Sequence, residues 1–225
     1  MSFSRRIKYF LVHTLILSNK EAQALIDSGA VEIDGLKTVE NCILLPHSEI
    51  KVKGVIERPK KEYIYLKFHK PRGLESTLNI SVPDNLSGFF KEYTDLAIAG
   101  RLDKQSEGLL LLSNDGKWVE NMCNPKFEKE KEYEVTLDKA PDDLFLNAFS
   151  RGVTIGSYVT ASCTCERIAA NKIRVVLKEG KNRQIRRMCK ALNYKVLKLK
   201  RQRIASVLLL DLPKGEKESF HFNCN

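Results

Sequence analysis

The sequence lacks the features that would mark a membrane or secreted protein. The 225-residue chain contains no run of about 18 apolar residues, the length that a membrane-spanning helix needs. Its first eight residues, Met-Ser-Phe-Ser-Arg-Arg-Ile-Lys, show no apolar stretch followed by a cleavage site, as a secretory signal would. From these absences we expect a cytoplasmic protein that makes no contact with membrane.

The sequence also lacks the cysteine spacings of disulfide-rich or zinc-binding proteins. Cys163 and Cys165 are one residue apart, but no second Cys or His pair accompanies them. Neither a glycine-rich nucleotide-binding loop nor a metal-ligand cluster is evident, so we expect no cofactor and no metal. We expect reduced, mostly buried thiols in a reducing compartment at Cys42, Cys123, Cys163, Cys165, Cys189 and Cys224.

The chain has fewer acidic than basic residues, and the excess of basic residues is concentrated in one segment. The formal net charge is +10 and the sequence pI is about 9.3. Residues 178–203 hold eleven lysines and arginines against one glutamate, which leaves the rest of the chain close to neutral. Such a strip favours a polyanionic partner, nucleic acid above all, although a solvated basic face would carry the same charge.

Residues 1–56 have the pattern of a small separate domain. Ser18 and Glu21 form a capping box at the start of a predicted helix, which Gly29 ends. Short alternating segments follow around the turn at Asp34-Gly35. A charged, proline-containing link leads to a larger domain, predicted over residues 60–225.

The larger domain alternates strand-like and helical stretches. Because strands precede helices and adjacent hairpins fill residues 153–177, we expect an α+β fold around a mainly antiparallel sheet with flanking helices. Predicted strands are Tyr63–Phe68, Leu96–Ala99, Glu132–Leu137, Val153–Ile155, Tyr158–Arg167 and Lys172–Leu177; predicted helices are Asp84–Tyr93, Lys117–Cys123 and Pro141–Arg151.

Residues 100–116 carry the most informative motif, Gly-Arg-Leu-Asp-Lys-Gln-Ser-Glu-Gly-Leu-Leu-Leu-Leu-Ser-Asn-Asp-Gly. The apolar run before it and the four leucines within it are typical of two buried strands. Asp103 therefore lies on a loop between buried elements, where a reactive group can be held firmly and still reach a substrate. An aspartate in such a loop can also simply cap a turn.

Two further motifs contain candidate functional side chains. Residues 179–188 read Glu-Gly-Lys-Asn-Arg-Gln-Ile-Arg-Arg-Met, and their apolar positions mark one face of a helix. The arginines and lysine distributed around the rest of that helix are Arg183, Arg186, Arg187 and Lys190. The segment Lys131-Glu132-Tyr133-Glu134-Val135 predicts a strand that presents Tyr133, either to a site or simply to the core.

Taken together, these motifs resemble the RsuA/RluB/E/F family of pseudouridine synthases, which isomerise uridine in ribosomal RNA and carry an N-terminal S4-like RNA-binding domain. The likeness is closest to the large-subunit, RluF-like branch. It implies that Asp103 is the essential catalytic carboxylate and that Tyr133 stacks on the target base. It also implies that an arginine pairs with Asp103; we assign this role to Arg186, with Arg183 as the competitor.

The motifs and the basic strip at 178–203 together indicate which residues contact RNA. We expect the substrate to be bound by Arg101, Arg183, Arg187, Lys198 and Lys200. The expected partner is ribosomal RNA, with 23S favoured over 16S and transfer RNA as an alternative, and the expected state is a monomer.

The front domain has only eight basic and seven acidic residues in 1–58, so a spacer or protein-contact module is an alternative role. A catalytically idle RNA-binding factor of ribosome assembly is the alternative for the whole chain.

Overall fold

The computed structural model describes residues 6–45 and 47–221, which divide into two compact units within Met1–Tyr63 and Ile64–Asn225. Across these described ranges, no helix combines the length and the apolar character needed to cross a membrane.

The first unit consists of two helices and a four-stranded antiparallel sheet. Its elements are α1 (Ile7–Thr14), α2 (Asn19–Asp27), β1 (Val31–Ile33), β2 (Leu36–Thr38), β3 (Ile50–Val52) and β4 (Val55–Arg58), with strand order β2-β1-β3-β4.

The predicted capping box is confirmed, since Ser18 Oγ accepts from the Glu21 N–H and Glu21 Oε2 accepts from the Ser18 N–H. Gly29 follows the helix with φ +64°, a conformation that glycine adopts readily. The S4-like identity of this unit stays a prediction.

The second unit is built around one large sheet with strand order β11-β12-β8-β13-β7-β5-β15. Every neighbouring pair is antiparallel except β13 and β7, so the expected α+β class is confirmed. The elements are β5 (Tyr65–Lys70), β6 (Ala97–Ala99), β7 (Glu107–Ser113), α3 (Gly116–Cys123), β8 (Lys131–Leu137), α4 (Asp143–Arg151), β9 (Thr154–Ile155), β10 (Tyr158–Val159), β11 (Thr164–Ala169), β12 (Lys172–Leu177), α5 (Gln184–Ala191), β13 (Val196–Ile204), β14 (Val207–Leu208) and β15 (Lys217–Ser219).

Two predicted elements are wrong. The helix expected over Asp84–Tyr93 is only a 3-10 turn at Ser87–Phe89. The Asn85 side chain accepts from the Ser87 N–H, a local bond that competes with helical hydrogen bonding. The single strand expected over Tyr158–Arg167 is two strands. Thr160 remains hydrogen-bonded to Val153 and the Cys163 N–H donates to the Ser150 carbonyl oxygen, so residues 160–163 do not continue the strand.

The sheet is covered on one face in the region of β8, β12 and β13. Buried apolar residues of these strands pack with residues of α4 and α5, for example Val135 with Phe149 and Met188. Successive side chains of a strand point to opposite faces. The residues that alternate with this core therefore form a second, charged face, which includes Glu132, Glu134, Lys172, Lys198 and Lys200.

The described cysteines are all free thiols. Cys165 and Cys189 are buried, and burial raises the pKa of each to about 12. Cys42 and Cys163 are half-buried, Cys123 is exposed, and Cys224 lies outside the described residues. The prediction of reduced thiols agrees with this arrangement, but burial is less general than expected.

Gly108 is required where the parallel strands β13 and β7 meet. It has φ +112°, and a Cβ there would lie 2.3 Å from the Arg201 carbonyl oxygen and 2.5 Å from the Arg201 nitrogen. We expect Gly108→Ala to lower the free energy of unfolding by about 3 kcal/mol or more, because both the backbone angle and the contact with β13 are incompatible with a side chain. Urea unfolding followed by circular dichroism measures the change.

Gly116→Ala is the matched control for Gly108→Ala. Gly116 begins α3, and a Cβ there would have no atom within 4 Å. This variant should be neutral or slightly stabilising, since alanine favours helix over glycine. Equal stability of the two variants would show that the close approach of β13 to β7 is not needed.

Candidate active site

A cavity of about 470 Å³ lies in the second unit, and the three sequence motifs meet there. It is lined by Asp103 from the loop between β6 and β7, by Tyr133 from β8 and by Arg183 from the start of α5. A volume of this order is typical of a pocket for a small molecule or a single extruded nucleotide. The structure thus brings together residues that are 30 to 80 positions apart in the sequence.

Asp103 is accessible from the cavity, with 26% of its side chain exposed. The loop that carries it closes with a bond from the Ser106 N–H to the Asp103 carbonyl oxygen at 2.9 Å. A carboxylate in this position can reach a substrate without a rearrangement of the loop.

Arg183, the competitor in the sequence analysis, lies nearest to Asp103. Its Nη1 is 4.0 Å from Asp103 Oδ2, and its backbone has φ +48° at the N-terminal cap of α5. Arg186 instead donates to the carbonyl oxygens of Val196 at 3.2 Å and Gln105 at 2.9 Å, and lies 3.4 Å from Ser106 Oγ. Burial lowers the pKa of Arg186 and neighbouring Arg183 adds to the effect, while Asp103 opposes it. The geometry therefore favours Arg183 as the ion-pair partner.

The segment that presents Arg183 is fixed by Gln184, which the sequence analysis did not single out. Gln184 Oε1 accepts from the Lys181 N–H at 3.0 Å, and its Nε2 donates to Glu179 Oε1. Glu179 Oε1 also accepts from the Ala161 N–H. Because Gln184 is only 4% exposed, these bonds anchor the cationic segment to the domain core.

Tyr133 is only 8% exposed and alternates along β8 with charged residues of the opposite face. Its ring belongs both to the core and to the cavity lining. Two residues earlier, Lys131 also lines the cavity, where burial lowers its pKa and Arg201 adds to the shift.

The cavity carries an excess of positive charge. Arg101, Lys131 and Lys181 line it and have no carboxylate within 4 Å among residues 6–45 and 47–221. Lys178 pairs with Glu128 at 3.8 Å. Cations that line a cavity without a carboxylate partner suit a ligand that carries phosphate groups.

Three residues expected to contact RNA are not part of the cavity lining. Lys198 and Lys200 point to the charged face of the sheet, whereas Leu199 and Arg201, which alternate with them, line the cavity. Lys198 forms an ion pair at 3.2 Å with the buried carboxylate of Glu107. Arg187 lies over the Tyr158 ring and donates to the Ile155 carbonyl.

Arg201 is a site residue that the sequence analysis missed. It is 1% exposed, and its guanidinium donates to the carbonyl oxygens of Leu109, Arg101 and Gly100 at 2.8, 3.1 and 3.0 Å. Acceptors on the backbone have no signature in the sequence, so the charge count of the 178–203 strip was its only signal.

Comparison with known proteins agrees with this geometry. The family model described as RNA pseudouridylate synthase matches residues 64–191, which include all three motifs. Over 215 residues the chain is 35% identical to the dual-specificity RNA pseudouridine synthase RluF of Escherichia coli (strain K12), covering 95% of this chain and 74% of that protein. It is 31% identical to ribosomal large subunit pseudouridine synthase B of Bacillus subtilis (strain 168), covering 94% of this chain and 90% of that protein.

A solved structure gives the same result for the fold. A crystal structure of a pseudouridylate synthase matches this one with a TM-score of 0.66 and 26% identity, and the match covers 96% of each chain. The agreement of sequence, motifs and fold over nearly the whole length leaves the idle-scaffold alternative unsupported. The chain therefore belongs to the RNA pseudouridylate synthase family, in the group that contains RluF and RluB, and is an enzyme of the isomerase class.

Proposed function

We propose that this enzyme converts one uridine of ribosomal RNA, in the large subunit, to pseudouridine in the cavity around Asp103. The observation that carries the proposal is the convergence of Asp103, Tyr133 and Arg183 on one cavity with an excess of positive charge. Relatives named for RNA and for the large ribosomal subunit support the choice of substrate.

The reaction breaks the N1–C1′ bond of uridine, rotates the freed uracil and forms a C5–C1′ bond. C5 loses a proton and N1 gains one, so the product is an isomer of the substrate. The step needs one ionised carboxylate at the junction of sugar and base, and we assign it to Asp103. That carboxylate can attack C1′, add to the uracil ring or remove a sugar proton. The Arg183 guanidinium places a positive charge beside this carboxylate, with Nη1 4.0 Å from Asp103 Oδ2.

Tyr133 supplies the aromatic surface that an extruded base requires. Stacking of a base on an aromatic side chain contributes about 1–3 kcal/mol, which helps to offset its removal from the RNA stack. The surrounding cavity would also hold the cleaved uracil near the sugar during its rotation.

For the first unit we propose the role of an S4-like RNA-recognition module, over residues 1–56. Its sequence is nearly neutral, so it would select the site by shape rather than by charge. We also propose that the enzyme acts as a monomer in the cytoplasm.

The deciding experiment incubates the protein with purified bacterial 23S, 16S and transfer RNA and maps pseudouridine by carbodiimide-based primer extension. We expect one modified position in 23S RNA, and poor modification of it by a chain lacking residues 1–56. Modification confined to 16S or transfer RNA would change the substrate assignment. An unmodified set of RNAs would refute the enzymatic role, and equal activity of the shortened chain would refute the recognition role.

The salt dependence of RNA binding should show whether RNA contacts the cavity lining or the charged face of the sheet. Each phosphate contact to a single strand contributes about 0.7 to the slope of log affinity against log salt. We expect the double variant Arg101→Gln/Lys181→Gln to reduce this slope by about 1.4, because both side chains line the cavity without a carboxylate partner. Filter binding over a range of salt concentrations measures the slope.

The matched control is Lys198→Gln/Lys200→Gln, which removes the same charge from the opposite face of the sheet. It should leave the slope unchanged, since these side chains point away from the cavity. A flatter slope in this variant, with no change in the cavity variant, would place the RNA across the charged face.

A further inference from the structure

We propose that Arg201 is a positioning residue for the reaction, and that it works together with Ser76 to hold the Asp103 loop in its reactive geometry. The proposal rests on the proposed function, in which Asp103 is the catalytic carboxylate. Neither residue needs to touch the substrate, because both act on the backbone that carries Asp103.

The contacts of Arg201 define the first half of this arrangement. Two of its three acceptors are the carbonyl oxygens of Gly100 and Arg101, the residues that lead into Leu102 and Asp103. The third acceptor, the Leu109 carbonyl, lies on β7 beyond the loop. One guanidinium therefore joins the entry of the loop to the strand that follows it.

The burial of Arg201 shows that these bonds are its main interactions. The residue is 1% exposed, and among the described residues it has no carboxylate partner within 4 Å. A buried cation without a counter-charge is costly to the fold, and backbone carbonyls compensate only in part. The cost of burying Arg201 is offset by a function that only arginine can perform here. Its planar guanidinium bonds three backbone carbonyls at once, which a lysine could not do.

The main chain of Arg201 is itself held in place. Its carbonyl oxygen and nitrogen lie against Gly108, where even a methyl group would not fit. Because Gly108 follows the loop by only a few residues, the anchor and the loop belong to the same tightly paired part of the sheet.

Ser76 forms the second half of the arrangement through its bonds to Leu102. Its hydroxyl donates to the Leu102 carbonyl oxygen at 2.7 Å and accepts from the Leu102 N–H at 3.0 Å. The Gly73 N–H donates to the Lys104 carbonyl oxygen at 2.7 Å. The backbone is thus fixed on each side of Asp103, while the carboxylate remains directed at the cavity.

The test compares Arg201→Lys with Arg203→Lys as its matched control, using the RNA that the wild-type protein modifies. Arg203 lies on the same strand, but its guanidinium pairs with Glu130 and Glu132 and does not line the cavity. We expect Arg201→Lys to lower kcat about 10- to 100-fold with KM within about threefold, because a loop displaced by a fraction of an ångström misplaces Asp103. Arg203→Lys should keep wild-type kcat.

Ser76→Ala provides the second variant and removes only one oxygen atom. We expect a fall in kcat of about tenfold with unchanged KM at temperatures where the variant is fully folded, a split that loss of overall stability would not produce. The melting temperature should fall as well, because Leu102 loses a buried hydrogen-bond partner. If Arg201→Lys fails to fold, the kinetics of Ser76→Ala decide the proposal alone. Wild-type kcat in the folded variants, or a loss confined to KM, would overturn it.

Asp103→Asn, measured in the same assay, separates this proposal from the one on which it rests. If Asp103→Asn retains activity, the proposed function is wrong and the positioning role falls with it. If Asp103→Asn is inactive while Arg201→Lys and Ser76→Ala are fully active, the function stands and only the positioning role is wrong.

Discussion

Asp103→Asn should abolish the formation of pseudouridine while the protein still folds and still binds RNA. The amide keeps the shape of the side chain but lacks the charge, the nucleophilicity and the basicity on which the three routes depend. We expect single-turnover rates to fall by about a thousandfold or more. RNA affinity should change little, since the cations that line the cavity remain in place.

Asp84→Asn is the control for this loss of charge. Asp84 is exposed and pairs with Lys104 at 2.8 Å, beside the same loop, but it does not line the cavity. It should retain nearly wild-type activity. Activity of Asp103→Asn within tenfold of the wild type would refute the assignment of Asp103, whatever the behaviour of the control.

The features that sequence predicts well here depend on neighbouring residues. The capping box of α2 needs only Ser18 and Glu21, three residues apart, and the structure contains it. The loop at Asp103 lies between two predicted strands that the structure contains, although only β7 is buried throughout and β6 is buried at Ala99 alone. In both cases the determinants lie within one short segment, so the local pattern is enough to predict them.

Features that depend on contacts between distant parts of the chain cannot be predicted from a local sequence pattern. Arg201 acts through carbonyl groups about 90 to 100 residues away, which only the parallel pairing of β13 and β7 brings near. Lys198 and Lys200 add to the net charge of a strip that the sheet then divides between two faces. Net charge along a sequence therefore predicts a nucleic-acid partner but does not predict on which face of the sheet each charged side chain lies.

The roles of Arg183 and Arg186 should separate when activity and stability are measured together. Arg183→Ala removes a half-exposed guanidinium 4.0 Å from Asp103, so we expect about a hundredfold loss of kcat with little change in melting temperature. Arg186→Ala should lower kcat to a similar extent, and should also destabilise the fold by about 2–3 kcal/mol. That guanidinium is half-buried and joins β13 to the Asp103 loop through Val196 and Gln105.

The variants Arg183→Lys and Arg186→Lys test whether charge alone is enough at each position. Arg183→Lys keeps a charge near Asp103 and should recover part of the activity, whereas Arg186→Lys cannot reach both carbonyls and should recover less. Single-turnover kinetics and urea unfolding of the four variants provide the measurements. If Arg186→Ala is as stable as the wild type and far less active than Arg183→Ala, then Arg186 is the functional partner of Asp103, as we assigned it from the sequence. In that case the pairing in the RNA complex differs from the one seen in this structure.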